Sequence, residues 1–62
     1  MKLPHYISRL SWHQGDRVIV AVGQFKGKHG TVTMRAEKGN YLVLLDGEKR
    51  PRKFLKGALD PE

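Results

Sequence analysis

A two-residue alternation sets in at Asp16. Val18, Val20 and Val22 fall on one side of an extended chain and Arg17, Ile19 and Ala21 on the other, which predicts a β-strand over 16–22. Gly23-Gln24-Phe25-Lys26-Gly27-Lys28-His29-Gly30 follows; three glycines in eight residues mark a loop. Alternation resumes over 30–36, where Val32 and Met34 are expected to point inward. A polar turn ending in Gly39-Asn40 leads into Tyr41–Leu45, apolar at every position. Such a run predicts a strand over 40–46 covered on both faces. Asp46-Gly47 predicts a tight type I′ hairpin, in which both central residues take positive φ. Residues 49–54 then pair back, and Pro51 restricts them to a sheet edge because proline has no N–H for a second ladder. Leu55–Leu59 fits one helical turn, and a last short strand falls at 59–61.

Before residue 15 the spacing differs. Leu3, Tyr6, Ile7 and Leu10 have helical spacing, but Pro4 and the polar Ser11-Trp12-His13-Gln14 hold any helix to about two turns. Residues 1–14 therefore read as an irregular lead-in and 15–62 as one domain. Five short strands with almost no helix must curl on themselves to bury a core, so the expected fold class is all-β, a small barrel. Its expected core is Val18, Val20, Val32, Val43, Leu45, Phe54 and Leu59, with Trp12 capping the base.

Composition narrows what such a domain can do. Apolar residues make up 39% of 62, enough for one thin core but not for a walled cleft with separate subsites. The absence of cysteine excludes disulfides and thiolate metal sites together. The longest apolar runs, Val18–Val22 and the equally long Tyr41–Leu45, are far shorter than the roughly 20 residues that span a bilayer. The first ten residues contain no apolar block of signal-peptide length. A soluble, cytoplasmic protein without a membrane partner is the expectation. Charge adds the strongest cue: 12 Lys and Arg against 6 Asp and Glu give a net +6. An excess this dense points to a polyanionic partner, nucleic acid foremost.

The opening Gly15-Asp16-Arg17-Val18-Ile19-Val20, followed by Gly23-Gln24-Phe25-Lys26-Gly27-Lys28-His29-Gly30-Thr31-Val32, resembles the KOW motif. That motif occurs in NusG-type transcription elongation factors and in certain large-subunit ribosomal proteins. The likeness continues through Leu45-Asp46-Gly47 to Phe54 and Leu59, about three quarters of the chain. It implies a five-stranded SH3-like barrel that contacts RNA, a ribosomal protein or the transcription machinery. NusG-type factors carry a larger polymerase-binding domain ahead of the barrel, which residues 1–14 are too short to supply.

Candidate contact residues cluster in two stretches. Lys26, Lys28 and His29 project from the glycine loop, and Gly23, Gly27 and Gly30 shape its backbone, whose amides are candidates for phosphate binding. Lys49-Arg50-Pro51-Arg52-Lys53 holds four basic residues in five; Arg50 and Arg52 share one strand face, Lys49 and Lys53 the other. Arg50, Arg52 and Lys53 with the lysines of the loop would form a phosphate-tracking ridge; alternatively, charges on an edge strand only discourage aggregation. Phe25, an aromatic in a polar loop, is a candidate for stacking on an unpaired base or filling a partner's pocket, unless it folds back over the barrel end. His5, His13 and His29 lack metal-ligand spacing, and no serine–histidine–acid arrangement is evident, so neither catalysis, metal nor cofactor is expected. Nucleic-acid binding, RNA preferred through the resemblance, is the first reading. A protein-docking module gripping a ribosomal or transcription partner through the Gly23–Gly30 loop is the alternative. A plasmid-encoded dihydrofolate reductase of similar length shares the Gly-Asp-Arg-Val opening, but its Val-Gln-Ile-Tyr pore segment is missing here.

Overall fold

The computed structural model describes residues 12–62. Five strands, β1 Arg17–Val20, β2 His29–Arg35, β3 Asn40–Leu45, β4 Arg52–Leu55 and β5 Leu59–Pro61, form one antiparallel sheet in the order β4-β3-β2-β1-β5. Chain neighbours are sheet neighbours until a 3₁₀ turn, Lys56–Ala58, carries the chain from the β4 edge to the β1 edge. Two backbone bonds fix that crossing: the Lys56 amide donates to the Gly39 carbonyl and the Ala21 amide to the Ala58 carbonyl, each at 2.8 Å. Val18, Val20, Val32, Tyr41, Val43, Leu45 and Leu59 form a single buried cluster drawn from β1, β2, β3 and β5. One sheet face buries such a cluster only by curling, an arrangement consistent with a small SH3-like barrel. Its β4–β5 seam is crossed by the 3₁₀ turn rather than by a ladder. Residues 1–11 of the expected lead-in lie outside the described residues; Trp12, as expected, packs against the core.

Several local expectations are corrected. β1 ends at Val20, and Val22, expected on the inner face, is 57% exposed because the chain has already turned into the loop. In β2 the pairing with β3 shifts by one residue between Val32 and Met34. A one-residue bulge reverses every side chain beyond it, so Met34 faces outward and is 56% exposed. The Thr33 hydroxyl at the bulge donates to the Leu42 carbonyl.

Tyr41–Leu45 is not covered on both faces: Tyr41, Val43 and Leu45 are buried, whereas Leu42 and Leu44 on the outer face are only half-buried. A curled antiparallel sheet has one inside, and that is enough for this strand. Tyr41 takes the core place expected for Phe54, which lies at the β4 edge and is partly buried against the cluster.

The type I′ hairpin does not form. Gly47 has φ +88°, but among the described residues no non-glycine residue has positive φ, so Asp46 does not meet the I′ requirement. With Glu48 N donating to Leu45 O at 3.0 Å, this is the signature of a type II turn. Type II does not match the strand twist. The chain runs on through 46–51 before β4 begins, directly after Pro51 rather than at residue 49.

Candidate nucleic-acid interface

The loop between β1 and β2 is built from two overlapping turns. Lys26 N donates to Gly23 O at 3.1 Å and Lys28 N to Phe25 O at 3.0 Å; Gly27 N returns to Val20 O at 2.8 Å. Gly27 carries φ +92°, which an L-residue rarely adopts, and so lets the second turn close. Because the amides of Lys26, Gly27 and Lys28 are spent inside the chain, the loop presents side chains rather than a backbone nest. Lys26, Lys28 and His29 are exposed. Gly30 is not part of the loop: it is buried in β2, opposite Leu45 and Val18.

Tertiary structure brings the second basic stretch to this loop. The Asp46 amide donates to the His29 carbonyl at 2.9 Å, which sets the 46–51 connection beside Lys28-His29. From β4, Arg52 reaches back so that its guanidinium carbon lies 4.6 Å from the centroid of the Phe25 ring. Lys49 and Arg50 precede β4 and are exposed on the connection, so the face alternation expected for them as strand residues does not apply. Lys53 goes the other way. It pairs in register with outward-facing Leu42, and its Nζ meets Glu37 at 2.7 Å.

The distribution of carboxylates decides which cations are available. Glu37 holds Lys53, Glu48 holds Arg52, and Asp46 and Glu62 hold Arg17. Asp16 accepts from the His13 amide at 2.8 Å, closing a local turn. Among the described residues Lys26, Lys28, Lys49 and Arg50 have no carboxylate within ion-pair distance. These four lie on the loop and on the connection docked beside it. Arg35 and Lys38, at the far end of β2 and in the turn after it, are exposed and, among the described residues, likewise without a carboxylate partner. Unpaired positive charge is therefore denser at the loop end but not confined to it.

Phe25 folds back instead of protruding. Its ring meets Phe54 edge-on, with centroids 6.1 Å apart and planes at 84°, an arrangement favoured by the aromatic quadrupole. Arg52 covers a face of the same ring, and its Nε donates to Glu48 at 2.8 Å. Phe25 is partly buried against the core cluster.

A second charged cluster, not foreseen in the sequence, sits around Arg17. Its guanidinium makes two bonds to Asp46 (2.8 and 2.7 Å), two to Glu62 (3.1 and 2.9 Å) and one to the Thr31 hydroxyl (2.9 Å). His29 Nδ1 also meets Glu62, at 2.7 Å. Asp46 and Glu62 are 29 and 45 residues from Arg17, so no local motif announces them. Arg17 thus ties β1 to β2, to the turn after β3 and to the end of β5.

The hydrogen bonds from Arg17 hold the Asp46 carboxyl below its ordinary range, and Arg17 and then His29 do the same to Glu62. Lys53 lowers Glu37 in the same way. A carboxyl depressed in the folded state protonates first in the unfolded chain. Its stabilisation is therefore present above the ordinary carboxylate range and is lost as pH falls through the folded value. The melting temperature should be level near neutrality and fall as pH drops below about 4.5. Arg17→Gln should flatten that fall, as read by thermal circular dichroism; an equally steep fall in the variant would mean that the cluster contributes nothing. The effect is small because every member is exposed.

Among the described residues no group of three or more His, Asp or Glu is placed to hold a metal ion. No helix among them is long and apolar enough to cross a membrane. What the site offers chemically is point charge and one arginine–aromatic stack, the means of binding a polyanion. No protein-family model matches the chain, and no curated protein matches it.

Proposed function

We propose that this chain is a KOW-type SH3-like barrel that binds nucleic acid without catalysing a reaction, RNA in preference to DNA, within the cytoplasmic transcription or translation apparatus. One observation carries the reading. Lys26, Lys28, Lys49 and Arg50 stand free on two adjoining segments, against only Arg35 and Lys38 among the other described residues, at the far end of β2, while five of the six acidic side chains are bound to partners. A barrel that used its charge only for solubility would gain nothing from gathering unpaired cations at one end. The preference for RNA rests on the resemblance of Gly15–Val32 to the KOW motif, and so does the assignment to transcription or translation.

Binding of a fluorescent single-stranded oligouridine at low salt, followed by anisotropy, tests the reading. Measurable affinity that weakens steeply with salt supports it; no affinity at low salt overturns it. Val22, 57% exposed where the chain enters the loop, gives the docking alternative its apolar contact. Capture of a ribosomal or transcription protein that survives nuclease treatment, with a shallow salt dependence, would favour that alternative.

A further inference from the structure

We propose that the residue on which an unpaired base stacks is Arg52, and that Phe25 is the positioning residue that holds it flat. This rests on the RNA reading above and assigns the stacking surface within it. Of the basic side chains at this end of the barrel, Arg52 alone among the described residues is held over an aromatic ring. Its guanidinium lies 4.6 Å from the Phe25 centroid, its Nε donates to Glu48 at 2.8 Å, and its side chain is still 48% exposed. Phe25 in turn is held edge-on by Phe54. A planar, delocalised guanidinium anchored over a ring and by Glu48, and still about half exposed, offers a plane to a second π-system, and bases splayed from RNA stack on such planes.

Two further arguments separate Arg52 from its neighbours. Its pairing with Glu48 offsets its charge, which makes it a poorer phosphate ligand than Lys26, Lys28, Lys49 or Arg50. Phe25 is the poorer platform, because Arg52 lies over one face of its ring and the ring is partly buried against the core cluster and Phe54. The ordering cost of the arginine is also already met in the free protein, so less affinity is lost on binding.

The test compares two probes, a single-stranded oligouridine and inorganic polyphosphate, which carries charge but no base. Arg52→Lys keeps the charge and removes the plane. It should weaken oligouridine binding about tenfold while leaving its salt dependence and the polyphosphate affinity unchanged. Phe25→Leu keeps apolar bulk but no π face and should lower oligouridine affinity alone by a comparable factor; Phe25→Tyr should restore it. Circular dichroism confirms that each variant is folded. Wild-type affinity for oligouridine in Arg52→Lys, or an equal loss for both probes, would overturn the assignment. Failure of the unaltered protein to bind oligouridine at low salt would instead overturn the RNA reading itself.

Discussion

Gly30→Ala is expected to lower the melting temperature by about 15 °C, the largest effect of any glycine-to-alanine change in this chain. A Cβ at position 30 would stand 2.7 Å from the Leu44 carbonyl oxygen, 2.8 Å from Val43 Cγ1 and 3.1 Å from Leu45 Cα. Two of those three neighbours are backbone, and the third belongs to a fully buried valine. None can rotate away, so β2 and β3 would have to move apart at the centre of the sheet. Overpacking of this kind costs about 3 kcal/mol. A domain of this length has roughly 3–9 kcal/mol in total, so a substantial unfolded population follows. Gly57→Ala is the control. Gly57 has no neighbour within 4 Å of its would-be Cβ and no positive φ, so the change should stay within about 0.5 kcal/mol. Urea unfolding followed by circular dichroism reads both. If Gly30→Ala were as mild as Gly57→Ala, the close approach of β2 to β3 would not be a constraint on the fold.

A fourfold rise in salt should weaken single-stranded RNA binding by roughly 50-fold. Four unpaired cations, Lys26, Lys28, Lys49 and Arg50, each meeting one phosphate, give a slope of about −3 in log affinity against log salt. Alanine at both Lys49 and Arg50 leaves two contacts. The slope should then fall to about −1.4, and the same salt step should cost only about sevenfold. Both side chains are exposed on the connection ahead of β4, so the barrel should melt as before. An unchanged slope in the double variant would place the phosphates elsewhere. A slope near zero with affinity intact would indicate an uncharged interface of the protein-docking kind.

The barrel itself was legible from alternation and punctuation. Val18, Val20, Val32, Val43, Leu45 and Leu59 were expected inside and are inside. The 3₁₀ turn and β5 fall where one helical turn and a last strand were expected. Such features are local: a two-residue period and a glycine-rich break express backbone preferences that the fold then respects. Met34 shows where locality ends. Nothing in Thr31–Arg35 marks the bulge, because a bulge is a mismatch between two strands and exists only once both are paired. Asp46-Gly47 fails for a related reason, since the turn type has to suit the whole 46–51 connection and not only its two central residues.

The candidate interface divides along the same line. Composition and order along the chain were sufficient to nominate Lys26, Lys28, His29, Arg50, Arg52, Lys53 and Phe25. Which of them act together was decided by contacts between segments far apart in sequence. The Asp46–His29 backbone bond and the Arg52–Phe25 stack bring two basic stretches to one end of the barrel. Glu37 draws Lys53 to the outer face, away from Arg52, and Glu48 offsets the charge of Arg52. An ion pair needs only proximity in space, and Arg17 with Glu62, 45 residues apart, shows how little sequence separation limits it. Charge and periodicity are properties of a chain, whereas the pairing that leaves one cation free and binds another belongs to the folded molecule.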